Sequence, residues 1–140
     1  RQRQMCIRDS GEAVVFTHGN MPKNFVTLVK QHGALLAKGW LLGVQFDTLF
    51  TDDLYCRIAR HANDAADRIR EVLVERGYTL TFDAPTNQIF ITLDNATSER
   101  LQRNVRLGFM EKADDTHTVM RICTSWATTD EQVEQLIALL

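Results

Sequence analysis

Apolar residues recur at helical spacing most clearly between Leu54 and Leu73, where Leu54, Ile58, Ala62, Ala65, Ile69, Val72 and Leu73 form one stripe. Arg60, Asp64, Asp67, Arg68 and Arg70 cover the remaining surface, Asp52 and Asp53 stand where caps belong, and Gly77 supplies the stop. Beyond Gly77 the repeat shortens to strand alternation. Tyr78–Phe82 and Gln88–Leu93 read as strands joined by the turn Asp83–Asn87, which contains Pro85. Thr97–Val105 reads as a short helix capped by Thr97 or Asn95, and Phe109–Lys112 as a strand. After the turn-like Ala113–His117, the β-prone run Thr118–Trp126 predicts another strand. A final helix carries Val133, Leu136, Ile137 and Leu140 as its stripe, behind a capping box read as Thr128-x-x-Glu131.

The N-terminal part is patterned differently. Ala13–Phe16 predicts a strand and Thr17–Pro22 a loop, while Asn24 to about Phe50 is helical in pattern. Gly33, Gly39 and Gly43 interrupt that helix, each costing about 1 kcal/mol against alanine in a helix interior. Such glycines break the helix or admit a close backbone, and a segment this apolar is expected to pack on another domain or subunit. From Asp52 onward the order is helix, two strands, helix, two strands, helix. That order gives an α+β layout with helices on one face of a small sheet.

Composition narrows the function classes. The net charge of −2 gives no nucleic-acid footprint and no attraction to an anionic lipid surface, and apolar runs such as Leu41–Val44 are too short to cross a bilayer. Cys56 and Cys123 are far apart in sequence and form no metal-binding or redox pair, so they read as buried free thiols in a reducing cytoplasm. Cys6 belongs to residues 1–10, RQRQMCIRDS, which read as an in-frame sequencing-adapter artefact. His18, His32, His61 and His117 lack ligand spacing, and no metal is expected. Ser98 and Ser125 lack a glycine elbow, and Asp52-Asp53 and Asp114-Asp115 read as cap and turn.

Arg121 is the residue whose chemistry matters most. Strand alternation sends its neighbours Met120 and Ile122 to one face and Arg121 to the other. An arginine so placed is either a solvated or ion-paired group on the sheet's open side, or a ligand-binding fork.

Several stretches, taken in order, resemble the threonine aldolases: Gly11–Phe16, Leu35–Gly43 with Gln45-Phe46, Pro85-Thr86-Asn87-Gln88, and Arg121 through Asp130. The resemblance covers nearly all of residues 11–140 and implies an α/β fold of the pyridoxal phosphate fold-type-I class. Residues 11–50 would then be the end of the large, cofactor-binding domain with its crossing helix. Residues 51–140 would be the small C-terminal α+β domain. In that family a Gly-Thr-Lys-x-Gly stretch precedes the segment resembling Gly11–Phe16, and its lysine forms the Schiff base. That lysine is missing here, so the chain reads as a C-terminal fragment, inactive by itself.

The resemblance assigns Arg121 to the substrate α-carboxylate. A planar guanidinium suits that role because it makes two parallel charge-assisted bonds that fix orientation as well as charge. It also places Lys38, with Lys30 second, near the phosphate end of the cofactor pocket, although Trp40 stands where relatives commonly carry arginine. It implies a cytoplasmic homodimer or homotetramer that cleaves L-threonine or a similar β-hydroxy amino acid to glycine and an aldehyde. Other fold-type-I lyases or aminotransferases share this architecture. A non-catalytic α+β module binding an amino acid or a partner stays open as a different class of function.

Overall fold

The computed structural model describes residues 14–140 as two compact units, one ending at Leu54 and the other spanning Tyr55–Leu140. The readings of residues 1–10, of Gly11–Ala13 and of Cys6 lie outside the described residues.

In the first unit, Val14–Phe16 takes no strand conformation among the described residues, contrary to its β-prone composition. Strand propensity is realised only when a neighbouring strand completes the ladder. Phe16 instead packs edge-on against Phe25, with ring centroids 5.0 Å apart. The helical stretch divides into α1 (Phe25–Gln31) and α2 (Trp40–Phe50). Gly33 makes the break: its φ of 65° is the left-handed stop, with Ala34 N–H donating to Val29 O at 2.9 Å and Gly33 N–H to Lys30 O at 3.0 Å. No residue of α1 or α2 is buried, and Trp40 and Phe50 are 66% and 69% exposed. A helix apolar around its whole circumference is built for burial, and seating a large apolar side chain contributes about 1.5–3 kcal/mol.

Asp52 and Asp53 do not take the extended backbone of a cap. Their φ values are 50° and 54°, and Leu54 N–H donates to Thr51 O at 3.1 Å, so they form a tight turn ahead of α3 (Leu54–Glu75). Asp tolerates this left-handed conformation better than most side chains.

The second unit is a four-stranded antiparallel sheet in the order β1-β2-β4-β3. Its strands are β1 (Thr79–Leu80), β2 (Gln88–Asp94), β3 (Gly108–Lys112) and β4 (His117–Cys123). Helices α3, α4 (Asn95–Gln102) and α5 (Asp130–Leu139) cover one face. Ala65, Ala66, Ile69 and Leu73 of α3, Leu101 of α4 and Val133 of α5 meet Ile89, Ile91 and Leu93 of β2 and Met120 and Ile122 of β4. This is the expected α+β layout. Gly77 (φ 78°) ends α3 as predicted, with Tyr78 N–H donating to Leu73 O at 2.9 Å and Gly77 N–H to Val74 O at 3.0 Å.

Several local expectations are corrected. Asp94, not Thr97 or Asn95, caps α4, accepting from Thr97 N–H at 2.9 Å. The final capping box is Thr129 with Gln132, one position beyond Thr128 and Glu131; Thr129 Oγ1 accepts from Gln132 N–H and Gln132 Oε1 from Thr129 N–H. Thr128 is spent on the preceding turn, where its hydroxyl accepts from Ser125 N–H at 2.8 Å. The strand expected to reach Trp126 stops at Cys123, because Thr124 turns inward. Its hydroxyl, in a residue 3% exposed, donates to Ala62 O at 2.6 Å and ties the strand end to α3. Both described cysteines, Cys56 and Cys123, are exposed rather than buried. Among the described residues no helix is long and apolar enough to cross a membrane.

The far end of α5 is clasped by side chains. Arg76 Nη1 donates to Ile137 O at 2.8 Å, Arg100 Nη1 to Leu139 O at 2.7 Å, and Tyr78 Oη to Leu140 O at 2.6 Å. These satisfy carbonyls that have no acceptor role within the helix and place positive charge at its negative end.

Candidate functional site

Arg121 occupies the face of the sheet opposite the helices. Its register partners are Phe90 on β2 and Gly108 on β3, so an aromatic ring and a bare backbone flank its side chain. Its Nη1 points to Gln88 Oε1 at 3.5 Å, at the outer limit of a hydrogen bond, and its Nε is enclosed. Phe90 stacks in turn on Phe82, with centroids 4.5 Å apart. The guanidinium is thus partly buried, held along one edge, and attached to the second strand from the sheet's edge. An arginine on a regular strand presents its fork with less freedom than one on a loop.

The turn leading into Gln88 is fixed from α3. Arg70, expected on the solvated surface, is partly buried; its Nη2 donates to Ala84 O at 2.8 Å and Thr86 O at 3.0 Å while Nη1 pairs with Asp67. Asn87 Nδ2 donates to Thr124 O at 2.7 Å, and Thr124 N–H returns to Asn87 O at 3.0 Å. Pro85-Thr86-Asn87-Gln88 is therefore a locked turn that sets where Gln88 meets Arg121. Sequence periodicity named Arg121 but not Gln88, Phe90 or Gly108 as its neighbours, because strand register cannot be read from one strand alone.

Lys30 lies in the last turn of α1 and Lys38 in the turn ahead of α2, both exposed and both in the first unit. Arg121 lies in the second. His18, His32 and His61 are exposed: His32 ends α1, and His61 Nε2 lies 2.8 Å from Thr128 O, the geometry of a donor to a carbonyl, whereas His117 is half-buried at the start of β4.

A separate open cleft of about 570 Å³ is lined by Arg76, Tyr78, Thr92, Asp94, Asp114 and His117. Its carboxylates are already engaged in local structure. Asp94 caps α4, and its pKa is lowered chiefly by the Thr97 N–H bond. Asp114 is held well below the usual carboxylate range by the Thr116 hydroxyl and N–H, with the His117 side chain and N–H adding to this. A carboxyl whose folded pKa is depressed stabilises the fold above its unfolded value of 3.8, and that contribution disappears as pH falls through the folded value. Thermal melts should accordingly lose midpoint as pH drops from about 4 to about 2. Asp94→Asn keeps a capping oxygen and should flatten this part of the profile. An identical slope in Asp94→Asn would show that acid loss of stability arises elsewhere.

No family model matches the chain. Over 127 residues, 90% of this chain, it is 28% identical to a low specificity L-threonine aldolase of Pseudomonas aeruginosa. It is likewise 28% identical over 129 residues to the low specificity L-threonine aldolase of a Pseudomonas species. The threonine aldolase structure from Leishmania major superposes on 84% of the chain with a TM-score of 0.79 and 35% identity. The chain is homologous to the threonine aldolases. It spans about a third of its relatives' length, 36% of each of the Pseudomonas proteins and 34% of the Leishmania chain. The expected α/β fold is thereby shown over the part of the chain that superposes, including the small antiparallel sheet and its helices.

Proposed function

We propose that this chain supplies the substrate-carboxylate grip of a pyridoxal phosphate-dependent lyase that cleaves L-threonine, or a related β-hydroxy amino acid, to glycine and an aldehyde. The observation that carries the reading is Arg121 on the helix-free face of the sheet, beside Phe90 and Gln88. Homology to threonine aldolases supports the lyase chemistry and the cofactor.

In this reading Arg121 binds the α-carboxylate through its planar fork and fixes the substrate's rotation about its Cα. The breaking Cα–Cβ bond must stand perpendicular to the cofactor ring for its electrons to be accepted. Pyridoxal phosphate, when bound, supplies the sink for that electron pair. Phe90, stacked on Phe82, stands opposite Arg121 in register, and an apolar neighbour there would strengthen the arginine's attraction for a carboxylate.

The described residues fit the substrate end of such a site and not the covalent cofactor end. Lys23, Lys30, Lys38 and Lys112 are all exposed, whereas an amine activated for Schiff-base formation needs desolvation or a cationic neighbour to lower its pKa. Lys38 and Lys30 are accordingly proposed only as charge for the cofactor's phosphate, and the 140-residue chain by itself as inactive. A cytoplasmic homodimer or homotetramer is proposed for the whole enzyme.

The deciding assay supplies L-threonine and pyridoxal phosphate to the whole protein that carries this chain. Equal yields of glycine and acetaldehyde are expected. A 2-oxo acid product would replace the proposal with a transaminase, and ammonia release with an eliminating lyase.

A further inference from the structure

Gly108 opens β3 directly opposite Arg121. Its backbone does not demand glycine: the glycines with positive φ among the described residues are Gly19, Gly33 and Gly77. A strand disfavours glycine and favours β-branched side chains, so local conformation gives no reason for the residue. Its neighbour does. A Cβ built at Gly108 would stand 3.4 Å from Arg121 Nε, 3.4 Å from Arg121 O and 3.6 Å from Arg121 Cβ. One methyl group would therefore touch the arginine stem in ordinary contact. A larger side chain would compete with the arginine stem and Nε for the same space.

On the other flank, Phe90 is the register partner of Arg121 on β2, and Gln88 Oε1 meets Nη1 at 3.5 Å. The arginine lies between its register partners on β2 and β3, and the partner on β3 carries no side chain. We propose that Gly108 is a positioning residue, whose missing side chain forms the slot that lets the Arg121 fork lie flat beside Gln88 and face a substrate α-carboxylate. This rests on the carboxylate role proposed above for Arg121.

A steric role and a structural role predict opposite signs. Adding a β-branched side chain to an edge strand should leave stability unchanged or raise it, yet it should misplace the fork. The test compares Gly108→Ala, Gly108→Val and Arg121→Lys in the whole enzyme that carries this chain, reading KM and kcat for L-threonine and the thermal midpoint. Gly108→Ala should alter KM by no more than about twofold, since its methyl fits. Gly108→Val should raise KM by about tenfold to a hundredfold without lowering the midpoint.

An unchanged KM in Gly108→Val, alongside a raised KM in Arg121→Lys, overturns the positioning role and leaves the carboxylate role standing. Unchanged KM in both overturns both. Should Gly108→Val fail to fold, the alanine variant decides through the Arg121 Nε–H cross-peak in a nitrogen–proton correlation spectrum. The added methyl lies against Nε and must move that resonance; an unmoved cross-peak overturns the proposal.

Discussion

Replacing Arg121 by lysine is expected to lower kcat/KM for L-threonine by about 10- to 150-fold in the whole enzyme, the loss that follows when one hydrogen bond to a charged group worth about 1.5–3 kcal/mol is removed. Lysine keeps the positive charge but offers a point donor in place of a planar fork, so one of two parallel bonds to the carboxylate disappears. KM rises because the bond is made in the bound substrate. Turnover falls as well, because a carboxylate held at one point can rotate and take the breaking bond out of alignment. Folding should be nearly unaffected. Arg121 faces away from the helices, and a lysine keeps an aliphatic stem at that position. Steady-state kinetics with a parallel thermal melt separate the two effects. Kinetics unchanged by the substitution would remove Arg121 from the site.

The second large effect concerns the fold that carries this arginine. Ile91 is fully buried on β2, registered between Leu80 of β1 and Met120 of β4 beneath the helix layer. Ile91→Ala removes three carbons where strand and helix backbones have little freedom to collapse, and should cost about 2–5 kcal/mol. For a unit of this size, a midpoint shift of about 4–8 °C per kcal/mol puts the loss at roughly 8–40 °C. Val74, 57% exposed on α3, is the matched control, and Val74→Ala should stay within about 0.5 kcal/mol of the parent. Denaturant unfolding followed by circular dichroism gives both values. A cost below about 1 kcal/mol at Ile91 would mean that the core repacks around the vacancy.

Local pattern carried far in this chain where the signal is itself local. The stripe Ala62, Ala65, Ile69, Leu73 predicted α3 and the face it buries, and Gly77 predicted its end. The alternation around Met120, Arg121 and Ile122 predicted which side chain of β4 would stand apart from the core. These follow from helix and strand geometry and need no partner to be specified. The errors cluster where a second segment chooses between chemically similar candidates. Thr128 and Thr129 are both competent caps, and Ser125 decides between them by engaging the first. Asp94 displaces Thr97 as cap because β2 delivers it in the extended backbone that a cap requires. Val14–Phe16 has strand composition but no ladder among the described residues.

The α+β order of the second unit, the helix-facing core and the isolation of Arg121 from that core are all legible in the chain, because each depends on periodicity within one element. The placing of Arg121 between Phe90 and Gly108 and near Gln88 came instead from the folded sheet. Those neighbours come from the two strands on either side of β4, and their register is set by turns and packing that no single stretch of chain encodes.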